Sequence, residues 1–202
     1  MGFLTEPIED VVVYKRKKYL INSAFDTVLK IQKLFKEEEL SELIKVHQAL
    51  KMLISNNRGL YRLSFEDMQI LLQLIFEACI NTQKRPEVRK RQLPSFDFEY
   101  DGEYIYSSFV LDYGIDLIDM QGKLPWKKFI SLFQGLSEQT KIREVMRIRN
   151  MEVPKFTGKN SKQIQEIQEL KSYYALPVKG GGGQDGLDAL FSTLERMAVQ
   201  GG

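Results

Sequence analysis

Cysteine and histidine are nearly absent from the sequence, which limits the kinds of site that it can build. Its 202 residues include one cysteine, Cys79, and one histidine, His47. A disulfide framework needs pairs of cysteines, and a zinc site of the cysteine and histidine type needs several ligands, so one chain can form neither. We therefore predict no metal and no other cofactor, and the lone thiol suits a reducing compartment.

Long hydrophobic runs are also missing. No stretch approaches the roughly 18 apolar residues that a membrane-spanning helix needs. The first residues, MGFLTEPIEDVVVY, lack the charged start and apolar core of a signal peptide, and Thr5 lies one place too early for a myristoylation motif. We expect a soluble cytoplasmic protein with no membrane partner.

Catalytic motifs are equally scarce. The sequence contains no nucleophile elbow, P-loop or dinucleotide fingerprint. His47 falls in the apolar stripe of a predicted helix, where a histidine is far more often a packing residue than a general base. Cys79 lies on an apolar helix face and is interpreted as a small core residue. The sequence therefore predicts no catalytic residue and no enzyme activity.

A large excess of charge of one sign is missing too, since the formal net charge is +2. Basic residues do cluster, as KRKK at residues 15–18 and in QKRPEVRKRQLP at residues 83–94. The first cluster is expected to be a solvated turn between strands, and the second a linker or a contact for an acidic partner. Because no aromatic residue is interleaved with them, nucleic-acid binding is the less favoured function.

The pattern that is present is mainly helical, after a short β-type start. Residues 8–14 and 19–21 are β-branched and aromatic, which predicts a hairpin. Ser23 and Ser64 are each followed three residues later by an acid, and both predict a capping box at a helix start. In the helix after residues 37–39, one predicted apolar face carries Leu40, Leu43, Ile44, His47, Leu50 and Ile54.

The second half begins with acids that imitate a calcium loop. Asp97, Glu99 and Asp101 stand at the first, third and fifth loop positions, but the twelfth is Ser108 rather than the bidentate glutamate that calcium requires. A helix that begins near Asp101 explains these acids as partners of the helix dipole. Gly114 is predicted to end this helix, and further starts are predicted at Pro125, Ser137 and Asn160.

These elements predict a mainly α fold, a helical bundle with a short N-terminal β-hairpin and a tethered C-terminal helix. We divide the chain into a hairpin and helices at residues 1–83 and a basic linker at 84–94. A helical module follows at 95–178, and a glycine-rich tether with an amphipathic helix at 179–202.

The amphipathic end of the chain is the predicted partner-binding element. A helix this short is marginal alone in water, so it either docks on its own protein or binds a partner, and both readings stay open. The apolar side chains predicted to bind are Leu187, Leu190, Phe191, Leu194 and Met197.

Two short motifs carry a family resemblance. They are YIYSSF at residues 104–109 and DYGIDL at residues 112–117, supported by Leu124, by residues 132–136 and by residues 148–149. With these motifs, residues 8–177 resemble the gene-product-fifteen family of siphophages and prophages of Gram-positive bacteria. The family-motif residues, expected to serve mainly as core, are Tyr104, Ile105, Phe109, Tyr113, Gly114, Trp126 and Phe129.

The resemblance implies a non-catalytic role in virion assembly. Similar proteins are tail assembly chaperones that coat the long hydrophobic tape-measure protein and give way as tail-tube subunits polymerise. It implies a tape-measure partner, a tail-tube protein as a second partner and a homo-oligomer. It also implies a place in the host bacterial cytoplasm and absence from the mature virion. The alternative is a nucleic-acid-binding or regulatory helical phage protein.

Overall fold

The computed structural model describes residues 4–5, 10–81 and 95–177, and these form a mainly α fold with one two-stranded hairpin. The predicted fold class and hairpin are confirmed, whereas the predicted C-terminal helix lies outside the described residues. The helices are α1 (Phe25–Lys36), α2 (Glu42–Leu53), α3 (Phe65–Ile75), α4 (Gly102–Tyr113), α5 (Trp126–Gln134), α6 (Lys141–Asn150) and α7 (Ser161–Tyr173).

The described chain divides into two compact units. Unit 1 contains the described residues up to 81 together with Met120–Ser131, and unit 2 contains residues 95–119 and 132–177.

The hairpin of unit 1 pairs strand β1 (Val11–Tyr14) with strand β2 (Lys17–Leu20) in antiparallel register. Lys15 and Arg16 form the two-residue turn with φ angles of 47° and 62°. Positive φ at both central residues matches the right-handed twist of the strands, although glycine or asparagine usually supplies it. The Tyr14 hydroxyl and the Lys15 ammonium both donate to Asp67, at 2.8 and 2.6 Å, and so fasten the hairpin to α3.

The core of unit 1 is formed by α1, α2, α3 and the π-helical turn that continues α3 over Phe76–Ile80. Fully burying one such aliphatic or aromatic side chain contributes about 1.5–3 kcal/mol, so this cluster dominates the stability of the unit. The side chains with no exposed surface are Val28, Ile31, Val46, Ala49, Leu50, Leu53, Leu71, Leu72, Ile75, Phe76 and Trp126.

The stretch Met120–Ser131 joins unit 1 through backbone pairing with the start of α1. The Trp126 N–H donates to the Ser23 carbonyl at 2.7 Å, and the Phe25 N–H donates to the Leu124 carbonyl at 3.0 Å. Phe25 stacks on Phe129, with ring centroids 4.8 Å apart and planes inclined by 15°. These contacts hold the first turns of α5 against the core of the unit.

The two predicted capping boxes have different outcomes. Ser64 is the N-cap of α3 and accepts the Asp67 N–H at 3.1 Å, as predicted. The prediction for Ser23 is wrong, because α1 begins after Ala24 and the Ser23 hydroxyl donates to the Asp10 carboxylate instead. Asp26 serves as an acceptor for the Gly122 N–H at 2.8 Å.

Only part of the predicted buried face of α2 is confirmed: Leu50 is buried, and so is Ile54 just past the end of the helix, but Leu43 and Ile44 are not. The residues that α2 buries are Val46, Ala49, Leu50 and Leu53, whereas Leu43 and Ile44 are 50% and 45% exposed. The true buried face is rotated around the helix axis relative to the predicted one. Ile54 does not share it, because the backbone is already extended there and pairs with Ile21.

Unit 2 is held together by Arg149 of α6. Its guanidinium donates two hydrogen bonds, of 2.6 and 2.7 Å, to the carboxylate of Asp101, the residue before α4. It also donates to the carbonyls of Tyr174, just after α7, and Ser95, at 2.6 and 3.1 Å. Asp101 is buried and the Arg149 side chain is only 10% exposed. The remaining guanidinium N–H groups bond to the two carbonyls, and such full hydrogen bonding is the condition under which a buried ion pair is tolerated.

The remaining predicted helix boundaries in unit 2 mostly hold. Helix α4 begins at Gly102 and ends at Gly114, whose φ of 62° is the left-handed conformation expected of a C-cap. Asn160 precedes α7, as predicted. Ser137 does not cap α6, because the helix starts after Thr140 and the Ser137 N–H and hydroxyl both donate to Asp112.

Candidate partner-binding surfaces

The family-motif residues lie mostly in the interiors of the two units. Ile105 and Phe109 are buried in unit 2, and Trp126 and Phe129 are buried in unit 1. The other three lie at the edges of unit 2. Tyr104 and Tyr113 are half-buried there, the Tyr113 hydroxyl donates to the Leu132 carbonyl at 2.9 Å, and Gly114 is the exposed end of α4. Such positions support packing, so a partner has to be met by other side chains.

Cys79 is buried in the π-helical turn, Phe76–Ile80, that continues α3. Burial raises the pKa of its thiol to about 11, with a further contribution from the negative charge of Asp10. The thiol is therefore protonated near neutral pH and is a poor nucleophile and metal ligand.

Asp10 and Ser23 form a second internal polar group. Ser23 is buried and its hydroxyl bonds to the Asp10 carboxylate, while Asp10 Oδ1 is buried without a hydrogen-bond partner in the described part of the chain. Burial raises the pKa of Asp10, and the bond from Ser23 and the charge of Lys127 offset only part of that effect. The pair lies largely inside unit 1.

The acids that imitate a calcium loop bind groups of their own chain. Asp97 Oδ1 accepts the N–H groups of Glu99 and Tyr100 at 2.7 and 3.1 Å, and Asp101 is occupied by Arg149. Across residues 4–5, 10–81 and 95–177, no group of three or more acidic, cysteine or histidine side chains is arranged to hold a metal ion.

Of the helices in the described ranges, none combines the length and the apolar character that crossing a bilayer requires.

The outer side of α2 exposes a mixed apolar and basic surface, which we call the α2 face: Leu43, Ile44, His47 and Lys51. Residues four apart on a helix are neighbours, so Leu43, His47 and Lys51 form a continuous row. Large apolar side chains left half exposed beside a fully packed inner side mark a surface that is suited to a partner.

The α2 face ends in a cavity of about 440 Å³, which we call the α2 cavity. Tyr61 is 72% exposed and forms one wall. Its ring is held by Arg62, whose guanidinium lies 5.4 Å from the ring centroid and whose Nε donates to the hydroxyl at 3.1 Å. The residues that line the cavity are His47, Lys51, Asn57, Arg58, Leu60 and Tyr61.

The α2 cavity is electropositive. Within the ranges that the structure describes, Lys51 and Arg58 form no ion pair with a carboxylate. The Lys17 ammonium approaches the same loop so closely that a Cβ added at Gly59 would collide with it. Uncompensated cations around a concave surface attract anionic groups.

Unit 2 exposes its own apolar surface on α7. No residue of α7 is buried, and Leu170 and Tyr173, three apart on one side, are 44% and 78% exposed. We call these two residues the α7 surface. The connection before α7 exposes two more large side chains, Val153 at 41% and Phe156 at 69%.

The C-terminal partner-binding residues predicted from the sequence lie outside the described residues. Leu43 and Ile44 were assigned to the core by their spacing, and sequence reasoning therefore missed them as surface residues. Lys51 offered a signal that this side of α2 is exposed, because it lies on the same side as Leu43 and Ile44 and a lysine rarely faces a core.

The fold and these surfaces define a small, mainly α protein that presents apolar side chains next to basic ones. The chain belongs to the bacteriophage Gp15 protein family, whose match covers residues 4–176, and it is therefore a phage protein. No curated protein and no solved structure matches it. The C-terminal segment from residue 177 onward lies beyond the family match.

Proposed function

We propose that the protein is a tail assembly chaperone that binds the tape-measure protein, keeps it soluble and gives way to tail-tube subunits. Membership of a phage protein family supports this role, as does the resemblance carried by YIYSSF and DYGIDL. The observation that carries the proposal is the α7 surface. A whole helix of the unit buries none of its residues and leaves Leu170 and Tyr173 accessible.

The α7 surface matches the physical problem that such a chaperone solves. A long helical tape measure exposes apolar stripes that would aggregate, and an apolar helix edge can cover them by helix-in-groove contact. The two side chains of the α7 surface can bury only a little apolar area. Because each Å² of apolar surface removed from water contributes about 25 cal/mol, one copy of the chaperone binds the tape measure weakly. Many copies along one tape measure would bind tightly together, and each could still leave as tube subunits arrive.

We also propose how and where the chaperone acts. The chaperone acts by binding, without a catalytic step, in the host bacterial cytoplasm, and it leaves before the virion is complete. Homo-oligomer formation would add to the avidity that the weak contacts require.

The test is co-expression with the tape-measure protein of the same phage, followed by measurement of soluble tape measure and by sizing of the complex. We expect the wild-type chain to co-purify with the tape measure. The double substitution Leu170→Ser and Tyr173→Ser should reduce the soluble fraction several-fold, because it removes the apolar contact.

A matched control is available in unit 2. Leu111 and Ile118 are both 66% exposed, so Leu111→Ser with Ile118→Ser also replaces two exposed large apolar side chains with serine, away from α7. This control should retain the tape measure. A wild-type chain that stays monomeric and never retains the tape measure would overturn the proposal.

One observation favours the alternative of nucleic-acid binding. The exposed ring of Tyr61 stands beside Lys51 and Arg58, so an aromatic residue and cations are interleaved in space although not in sequence. Such a surface can stack a base and hold a phosphate. Affinity for single-stranded DNA or RNA would then fall steeply with salt, and no mobility shift at low salt would remove this alternative.

A further inference from the structure

We propose that the α7 surface binds a cationic partner helix, one that carries lysine or arginine one helical turn away from its apolar residues. The proposal rests on the proposed function, because it names the chemistry of the tape-measure segment that the α7 surface would hold. The residues that select this partner are Glu166 and Glu169, which we call the α7 acids.

The α7 acids lie on the same side of the helix as the α7 surface. Glu166 precedes Leu170 by four residues and Tyr173 by seven, and Glu169 precedes Tyr173 by four. At 3.6 residues per turn, the four side chains fall within about 100° of arc. All four are exposed. Because residues three and four apart on a helix are neighbours, the acids and the apolar side chains form one continuous patch.

The other side of α7 contacts its own unit. The Lys171 ammonium donates to the carbonyls of Arg149 and Met151, at the end of α6, at 2.6 and 2.7 Å. The Tyr174 hydroxyl, just after α7, accepts from the Lys141 ammonium at 2.9 Å. The acidic and apolar patch therefore lies on the side of α7 that its own unit leaves open.

The charge of the α7 acids is not neutralised by their own unit. Within the described stretches 10–81 and 95–177, neither carboxylate forms an ion pair. Glu169 accepts a hydrogen bond of 2.8 Å from the Gln165 amide, which is neutral and leaves the charge intact. Lys162 lies one turn before Glu166, so positive charge in a partner is favoured only close to the apolar end of the patch.

Such a patch chooses among apolar helices by their charge. Leu170 and Tyr173 attract any apolar stripe, whereas the α7 acids attract a stripe flanked by cations and repel one flanked by carboxylates. Each acid is four residues from an apolar neighbour, or about 6 Å along the helix, which sets the spacing that a partner must match. An exposed ion pair changes affinity only a few-fold, so the choice of segment is biased while the contact stays weak enough to release.

The competing occupant is the α2 face of a second copy, which also combines apolar residues with a lysine. Lys51 lies seven residues from Ile44 and eight from Leu43, or about 10–12 Å along the helix. The α7 acids need a cation about 6 Å from an apolar residue, so the spacing of the α2 face does not fit. This mismatch favours a foreign helix over a second copy.

The first experiment repeats the co-expression with the tape-measure protein of the same phage. Glu166→Lys with Glu169→Lys should reduce the retained tape measure about fivefold, because two attractions become repulsions. Glu166→Gln with Glu169→Gln should give a smaller loss. The matched control is Glu103→Lys with Glu138→Lys, which reverses two exposed acids of unit 2 outside α7 and should retain the tape measure.

The second experiment uses two synthetic helical peptides and the full chain, and it measures affinity by fluorescence anisotropy. Both peptides carry the same leucine stripe, with lysine four residues from each leucine in one and glutamate in the other. The wild-type chain should bind the lysine peptide about fivefold more tightly, and Glu166→Lys with Glu169→Lys should reverse that order. The difference should shrink in 1 M salt, which screens exposed charges. Equal affinity for both peptides at low salt would overturn the proposal.

The outcomes separate this proposal from the proposed function. A tape measure that the wild type retains, and that the charge-reversed chain retains equally, would overturn the charge preference and keep the chaperone role. A reversed peptide preference in a chain that never retains the tape measure would support the charge preference and overturn the chaperone role. Charge reversal that weakens self-association in sedimentation, without loss of tape measure, would make a second copy the occupant and overturn the proposal.

Discussion

Asp10 illustrates how a single residue can make stability depend on pH. Burial raises the pKa of its carboxyl, and the Ser23 hydroxyl and the Lys127 charge do not compensate fully. A carboxyl whose folded pKa lies above its unfolded pKa binds a proton more tightly in the folded state. Its favourable contribution is therefore complete below the unfolded pKa and is lost as pH rises through the folded pKa.

Asp10→Asn should stabilise the protein at pH 7, because asparagine stays neutral and its amide oxygen can still accept from Ser23. The gain should be well under the roughly 1.4 kcal/mol that corresponds to one pKa unit, since solvent screens a partly buried group. Urea unfolding at several pH values measures it. The gain should vanish as pH falls below the usual aspartate pKa of 3.8, and an equal gain at pH 3 and pH 7 would contradict the explanation.

Arg149 links α6 to the start of α4 through Asp101 and to the end of α7 through Tyr174. Arg149→Met removes four donated hydrogen bonds and leaves Asp101 buried without its cation. Breaking a buried pair in this way costs about 3–5 kcal/mol. Urea unfolding followed by circular dichroism should show this loss.

Two further variants make the Arg149 prediction specific. Arg147→Met changes an exposed arginine of the same helix and should alter the unfolding free energy by less than about 0.5 kcal/mol. Adding Asp101→Asn to Arg149→Met should recover part of the loss, because the uncompensated charge is gone. A double variant no more stable than Arg149→Met would contradict the role of that charge.

Local patterns located the helices well, but they did not determine which groups bond or which side is buried. Ser64 caps α3 because nothing else competes for its hydroxyl, whereas Ser23, with the same spacing, is drawn to Asp10, which lies before β1. On α2 the apolar residues extend around more than half of the helix, so their spacing allows two faces. Only packing against α1 and α3 selects Val46, Ala49 and Leu53.

A local sequence pattern does not show contacts between distant parts of the chain. The pairing of Trp126 with Ser23 spans about a hundred residues, and so does the bond from the Gly122 N–H to Asp26. The motif around Trp126 therefore identified a family but not the unit in which the tryptophan packs. The basic cavity is local, since its lining lies within residues 47–61, but the irregular chain after α2 brings Arg58 and Tyr61 beside Lys51, and helical spacing does not show that.

At the scale of the whole molecule, the two exposed surfaces suggest a division of roles. The α7 surface is assigned to the tape measure in the proposed function, which leaves the α2 face and the α2 cavity available for a contact between copies. A molecule so arranged can join copies to one another and still offer each copy's α7 surface to a shared long partner. Such an arrangement would supply the many weak contacts that avidity requires.

Deletion of residues 180–202 tests this division. The core residues named above all lie outside the deleted stretch, so we expect the truncated chain to keep its circular dichroism spectrum and to lose less than about 1 kcal/mol of unfolding free energy. Its self-association, measured by sedimentation over a range of concentrations, should weaken if the segment binds a second copy. A deletion that unfolds the chain would instead make the segment a structural element, since only a large apolar contact could cost that much.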